Sequence, residues 1–181
     1  NVSTLSASDI EMFLGAGMSL AVYDTGENRI DHVWSRDDQG AATFTSYNYN
    51  EQGALVFTVS GNSRADIENL TGITVDTVAD LSAAQIEDML AADMRLAVYD
   101  TINNRVDYVW ATDESGESSF TQYNYNAQGQ LVYTITADSP DDISGLSGIT
   151  VSNAASLTQE DLEAVLIAGM SIAVYDTDHN R

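Results

Sequence analysis

The chain has 181 residues, 28 acidic and 6 basic side chains, and a formal net charge of −22. That balance argues against a nucleic-acid partner, whose phosphates need a basic footprint, and against an anionic membrane surface. A hydrophobic content of 44% belongs to a folded chain, no apolar run approaches the ~20 residues of a membrane span, and cysteine is absent.

The sequence repeats. Ala21-Val22-Tyr23-Asp24-Thr25 returns at residues 97–101 and again at 173–177. A shift of 76 residues superposes 5–80 on 81–156 with 41 of 76 positions identical. The expected organisation is therefore a lead-in at 1–4, a first module at 5–80, a second at 81–156, and a partial third copy at 157–181. The period exceeds that of short solenoid units and predicts an array of small modules, each burying its own core. The third copy stops in mid-pattern, as expected of a segment of a longer protein, and Asn1-Val2-Ser3-Thr4 has neither the basic start nor the apolar core of a signal peptide.

Each copy opens with a helix signature. Ser6 with Asp9, Ser82 with Gln85 and Thr158 with Asp161 have capping-box spacing, and Leu5 with Ile10 has the spacing of a hydrophobic staple. Ile10, Phe13, Leu14 and Met18 follow helical spacing, as do Ile86, Met89, Leu90 and Met94. The apolar period then changes to two. Strands are predicted at 20–23, 30–34, 43–49 and 55–59, with polar turns between them, and the second copy repeats the pattern. The turns Asp37-Asp38-Gln39-Gly40 and Asn50-Glu51-Gln52-Gly53 place Gly where a tight hairpin needs positive φ. A short helical turn or loop follows at 64–72 and 140–148, and Gly-Ile-Thr-Val at 72–75 and 148–151 reads as a short strand. The predicted fold class is α+β: tandem modules, each a capped helix plus a four-stranded antiparallel meander with a short extra strand. That strand, the helix and the Ala-Val-Tyr-Asp strand would form a β-α-β unit. Whether the helix packs on its own sheet or its neighbour's is left open.

Candidate chemistry is sparse. His32 aligns with Tyr108 and His179 with Asn103, so neither histidine belongs to the repeat, and no cysteine nucleophile or phosphate-binding glycine loop is present. The chain is expected not to be an enzyme. Calcium is the candidate ion, because hard cations take carboxylate and turn-carbonyl oxygens. Its ligands would centre on Asp24, Asp100 and Asp176, the acid shared by all three Tyr-Asp-Thr turns. The competing role for that Asp is to bond turn backbone N–H groups. A second candidate set is Asp66, Glu68, Asp141 and Asp142 near Asp76 or Asp80, and neither set matches an EF-hand or a nonapeptide calcium repeat. The recurring Asn28-Arg29, Asn104-Arg105 and Asn180-Arg181 suit an Arg that bridges Asp31 or Asp107 and stacks on an aromatic. Trp34, Tyr47 and Tyr49, with Trp110, Tyr123 and Tyr125, are either a carbohydrate platform or core and cross-strand pairs.

The stretch from Ile73-Thr74-Val75-Asp76-Thr77 through Ser82-Ala83-Ala84-Gln85-Ile86, closing at Ala97-Val98-Tyr99-Asp100-Thr101, resembles a recurring segment of giant, repetitive, secreted bacterial surface proteins. Tyr47-Asn48-Tyr49-Asn50-Glu51-Gln52-Gly53 is similar to the tyrosine–aspartate (YD) repeats of bacterial shell and toxin-delivery proteins, with Asn50 where that pattern prefers Asp. The first resemblance implies an extracellular or cell-surface, adhesin-like structural protein: a stalk, fibre or adhesive matrix element. Its partners would be neighbouring repeats, self-association or glycan, with no nucleic acid and no membrane insertion. The alternative is a glycan- or calcium-binding adhesion module acting through avidity.

Overall fold

In the computed structural model the chain is described over residues 5–37, 39–113, 115–146 and 148–177. The lead-in, His179, Asn180-Arg181 and the turn positions Asp38 and Glu114 lie outside the described residues.

Three helices repeat at the expected places: α1 (Ala7–Gly15), α3 (Ala83–Ala91) and α5 (Gln159–Ile167). Each begins with the complete capping box, in which the cap hydroxyl accepts from the third residue's N–H and that residue's side chain accepts from the cap N–H. Hydrogen bonds from Ser6 hold the Asp9 carboxyl below its usual range, and those from Thr158 do the same to Asp161. Each helix stops in a Schellman-type turn. Met18 N–H reaches back to Phe13 O and Gly17 N–H to Leu14 O, and 89–94 and 165–170 repeat the pair. The left-handed residue is Gly17 (φ 72°) and Gly169 (φ 73°), but Asp93 (φ 53°) in the second copy. Two shorter helices, α2 (Arg64–Asn69) and α4 (Pro140–Ser144), occupy the connectors.

The strands are β1 (Leu20–Asp24), β2 (Arg29–Arg36), β3 (Ala42–Tyr49), β4 (Leu55–Gly61), β5 (Arg95–Asp100), β6 (Arg105–Thr112), β7 (Ser118–Tyr125), β8 (Leu131–Ala137) and β9 (Ser171–Val174). They form one nine-stranded sheet in chain order, with every neighbouring pair antiparallel. The fold is thus mixed helix and strand built on a single antiparallel meander. Its hairpins are made as anticipated: Asp37 and Ala41 close a three-residue loop in which Gly40 has φ 83°, and Asn50 and Ala54 close another around Gly53 at φ 79°. The Asp37 and Asn50 side chains accept two N–H groups each across these loops.

Register assigns the two faces. Trp34 pairs with Phe44, which pairs with Gly61, while Val59 pairs with Leu96 and Leu96 with Trp110. This face lies under the helices. Thr45 opposite Ser60, Tyr47 opposite Thr58 and Thr58 opposite Ala97 fall on the other, open face. The helices share one face because each β4-to-β5 type connection (62–94 and 138–170) leaves the sheet and returns to the adjacent strand.

Two features of the fold differ from expectation. Gly72–Val75 and Gly148–Val151 are not strands, so there is no β-α-β unit. The segment turns into a 3-10 helix at Val78–Asp80, and at Ala154–Ser156 in the second copy. Thr77 Oγ1 donates to Gly72 O at 2.6 Å and accepts Thr74 N–H at 3.0 Å. Asn153 does both with its amide, at 2.6 Å to Gly148 O and 2.8 Å from Thr150 N. One side chain that both donates and accepts satisfies this backbone locally, which removes the need for a ladder partner. β-branched residues had suggested a strand, but local hydrogen bonding overrides that propensity.

A second difference concerns the core. Val56, Phe57, Val59 and Val78 from one side of residue 80 pack in a single buried cluster with Met89, Leu90, Met94, Leu96, Val98, Trp110 and Phe120 from the other. The copies share this core rather than each closing its own. A second cluster, around Val132, Ile135, Val165 and Met170, repeats the arrangement one period later.

Candidate functional site

The most developed arrangement in the molecule is the seam between copies. β4 of one copy pairs with β5 of the next, and α3 lies across the joint. A nine-residue helix is too short to be stable by itself, so what holds it is the apolar surface it buries. Equivalent positions divide that surface into two flanks. Met18, Met94 and Met170 are 48%, 3% and 4% exposed, so only helices with a preceding copy bury this methionine. Leu14, Leu90 and Leu166 are 1%, 8% and 69% exposed, so only helices with following strands bury this leucine. Among the described residues, only α3 has both flanks covered. Its Met89 has no exposed surface at all. Burying two such side chains stabilises the joint by roughly 3–6 kcal/mol.

A polar clasp accompanies the apolar one. Tyr108 on β6 donates its hydroxyl to Val78 O, 3.2 Å away on the 3-10 turn of the preceding copy. Its ring stacks on Phe120 at 5.3 Å. Burial is the main cause of its raised pKa, pushed up to about 12, with the charges of Asp107 and Asp80 adding to it. In the first copy the same place holds His32, whose ring lies 5.1 Å from Phe44 and whose Nδ1 lies 2.7 Å from Asp31 Oδ2. Here His32 is part of the packing over β2 and β3.

Asp24 and Asp100 sit at hairpins four strands apart in the sheet, and Asp176 lies just past the last described strand. Asp24 ends β1 and its Oδ1 accepts Gly26 N–H at 2.8 Å. Asp100 ends β5 and accepts Ile102 N–H, Asn103 N–H and the Asn103 amide. These bonds, that from the Asn103 side chain foremost, hold the Asp100 carboxyl below its usual range. Asp176 follows β9 and is exposed. The turn role therefore accounts for the contacts of Asp24 and Asp100. In the second candidate set, Asp66 and Asp142 accept the Ser63 and Ser139 hydroxyls at the starts of α2 and α4. Among the described residues no three His, Asp or Glu side chains gather as a metal site would require.

The Asn-Arg pair is a hairpin device. Asn28 and Asn104 adopt left-handed backbone (φ 52° and 51°), and Arg29 and Arg105 lie over Tyr49 and Tyr125 at 4.5 and 4.2 Å. The acidic partners are the turn residues Glu27, at 4.0 Å from Arg29, and Asp100, at 3.4 Å from Arg105. Burial raises the Asp107 carboxyl, Asp100 adds to the effect, and Arg105 opposes it.

The aromatic residues separate onto opposite faces. Trp34 and Trp110 stack against Phe44 and Phe120 at 4.7 and 4.9 Å beneath the helices. Tyr47, Tyr49, Tyr123 and Tyr125 are half-buried on the open face, where Tyr47, Tyr49, Gln52 and Asn104 help line a shallow hollow of about 500 Å³. On the helical face, α2 and α4 each leave a crevice beside β3 and β7. One, of about 270 Å³, is lined in part by Phe44, Val59, Ile67 and Ile73, with Asp31, His32, Arg64 and Glu68 among its polar groups. The other, of about 330 Å³, has the equivalent Phe120, Ile135, Ile143 and Ile149, with Pro140 and Ser144 in place of Arg64 and Glu68.

The seam was not legible from any single copy. Its signal lay in the methionine and leucine that recur at every period without a partner inside their own helix. Compared with known proteins, the chain matches no protein-family model and no curated protein.

Proposed function

We propose that this chain is a structural repeat segment of a long extracellular surface protein, a stalk, fibre or adhesive matrix element, and that it is not an enzyme. The observation that carries this reading is the sharing of one core and one sheet across the boundary between copies, with α3 buried on both flanks. Modules joined by a flexible linker would bend at every joint, whereas here bending requires breaking a strand ladder and exposing Met89 and Leu90. Each copy adds four strands, or ~19 Å of sheet width at ~4.8 Å per strand. The right-handed twist turns the ribbon by roughly 80–100° over the same distance. The net charge of −22, spread over all copies, keeps such ribbons apart and soluble. Placement outside the cell follows from the resemblance to secreted surface repeats.

Small-angle scattering on chains of two, three and four copies tests this reading. A maximum dimension growing by about 19 Å per copy is expected, and a compact envelope at all lengths would overturn it. A second reading, a glycan-binding adhesion module, is favoured by the tyrosines around the open-face hollow. A glycan array without signal removes it.

A further inference from the structure

The two ends of the sheet present, uncovered, the surfaces that the interior seam buries. At the β9 end Leu166 and Val174 are exposed, at 69% and 44%. Among the described residues β9 pairs only with β8, whereas its equivalent β5 pairs with both β4 and β6. One period earlier, Leu90 and Val98, the equivalents of Leu166 and Val174, are covered by a cluster to which β6 and β7 contribute Trp110 and Phe120. We propose that the β9 edge and the adjoining flank of α5 are a docking surface for another copy of the block equivalent to 105–137, seated as β6–β8 are seated on β5 and α3. This inference rests on the repeat-segment reading.

The occupant follows from the internal seam. It must bring a β6-type strand with a free edge, a Trp and Phe at the Trp110 and Phe120 positions, and a hydroxyl at the Tyr108 position to meet Ala154 O, the equivalent of Val78 O. A second intact chain lacks this free edge, because its β2 is already paired with β1. A copy continuing along the same chain has it. Both sides of the new joint are acidic, each 76-residue copy carrying −9, so docking should tighten as salt is added.

The test is the full chain extended after Thr177 by a second run of residues 102–177. Amides of β9 should then exchange at least tenfold more slowly than in the parent, approaching those of β5. Leu166→Ala should leave the parent's melting temperature nearly unchanged, yet lower that of the extended chain by about as many degrees as Leu90→Ala. Unchanged β9 exchange, or a silent Leu166→Ala in the extended chain, would overturn the proposal. So would an extension whose added tryptophan gives no near-ultraviolet dichroism, since a copy that fits its seat should fold on it. A compact scattering envelope with a protected β9 would sink the spacer reading and leave the docking surface standing.

Discussion

Residues 83–100 and 159–176 follow the same plan, yet one helix is buried on both flanks and the other on one. The difference is not in the helices. Both have complete capping boxes and the same Schellman-type closure. It lies in what stands on the far side: β6 and β7 follow α3, while the described chain offers no further strand beyond β9. The lesson is that amphipathicity in this unit is divided. One stripe serves the copy before and another the copy after, so a single copy is half a structure at each end. Repeat arrays built this way gain stability from nearest-neighbour terms, and terminal copies are the weakest.

The largest effect expected from breaking this contrast is at Leu90. Leu90→Ala should cost about 3 kcal/mol, because it opens a cavity in the shared core. The equivalent Leu166→Ala should change stability by less than about 0.5 kcal/mol. Denaturant titration of the two variants measures the ratio, and equal costs would mean that the seam is not what holds the helix.

Next is Tyr108→Phe, which removes the clasp across the seam and leaves Val78 O unpaired, at a cost of about 1 kcal/mol. The variant also has a pH signature. The Tyr108 hydroxyl ionises near 12 in the folded chain against an ordinary value of 10, so the unfolded chain loses its proton first. Stability should therefore be intact below about pH 10 and decline between about 10 and 12. Thermal melts across that range should decline less steeply for Tyr108→Phe.

A smaller effect, of opposite sign, is expected where the three copies differ at one helix end. Asp93 holds a left-handed conformation that Gly17 and Gly169 adopt without a Cβ. Asp93→Gly should stabilise α3 by about 0.5–1 kcal/mol, even with its hydrogen bond from Asn62 lost. A drop in the melting temperature would show that the Asn62 bond outweighs the backbone strain.

The smallest effect belongs to the hairpins. Asp100→Ala should lower the melting temperature modestly at neutral pH. Because the folded carboxyl is held below its usual range, its contribution is present above the ordinary carboxylate value and lost as pH falls through the depressed one. The gap between Asp100→Ala and the parent should therefore close in acid. Asp107→Asn should behave oppositely, gaining stability at neutral pH, since burial disfavours that charge. If adding calcium or a chelator shifts the melting temperature substantially, the Asp24, Asp100 and Asp176 turns have a further role as ligands.

Much of the local structure could be read directly. The capping boxes, the change of period from helix to strand and the glycine hairpins all depend on contacts within five residues of one another, and each formed where expected. The 72–75 segment was misread because Ile, Thr and Val favour strands in general, while the hydrogen bonds of Thr77 and Asn153 decide the matter locally. How the aromatics divide could not be read from one strand, because Trp34 and Tyr47 lie on different strands and only cross-strand register places them on opposite faces.

By itself the sequence determined the period of 76, the helix and strand content of each copy, the turns and the even spread of acidic charge. These follow from patterns within one copy, where the physics is short-ranged. Only the tertiary structure decided that the strands of successive copies form one sheet, that α3 belongs to both sides of a boundary, and that Met18 and Leu166 are exposed for complementary reasons. Pairing β4 with β5 closes a loop of more than thirty residues, and no local propensity encodes which edge meets which. The shared apolar core favours that choice, because this pairing buries Met89 and Leu90 at once.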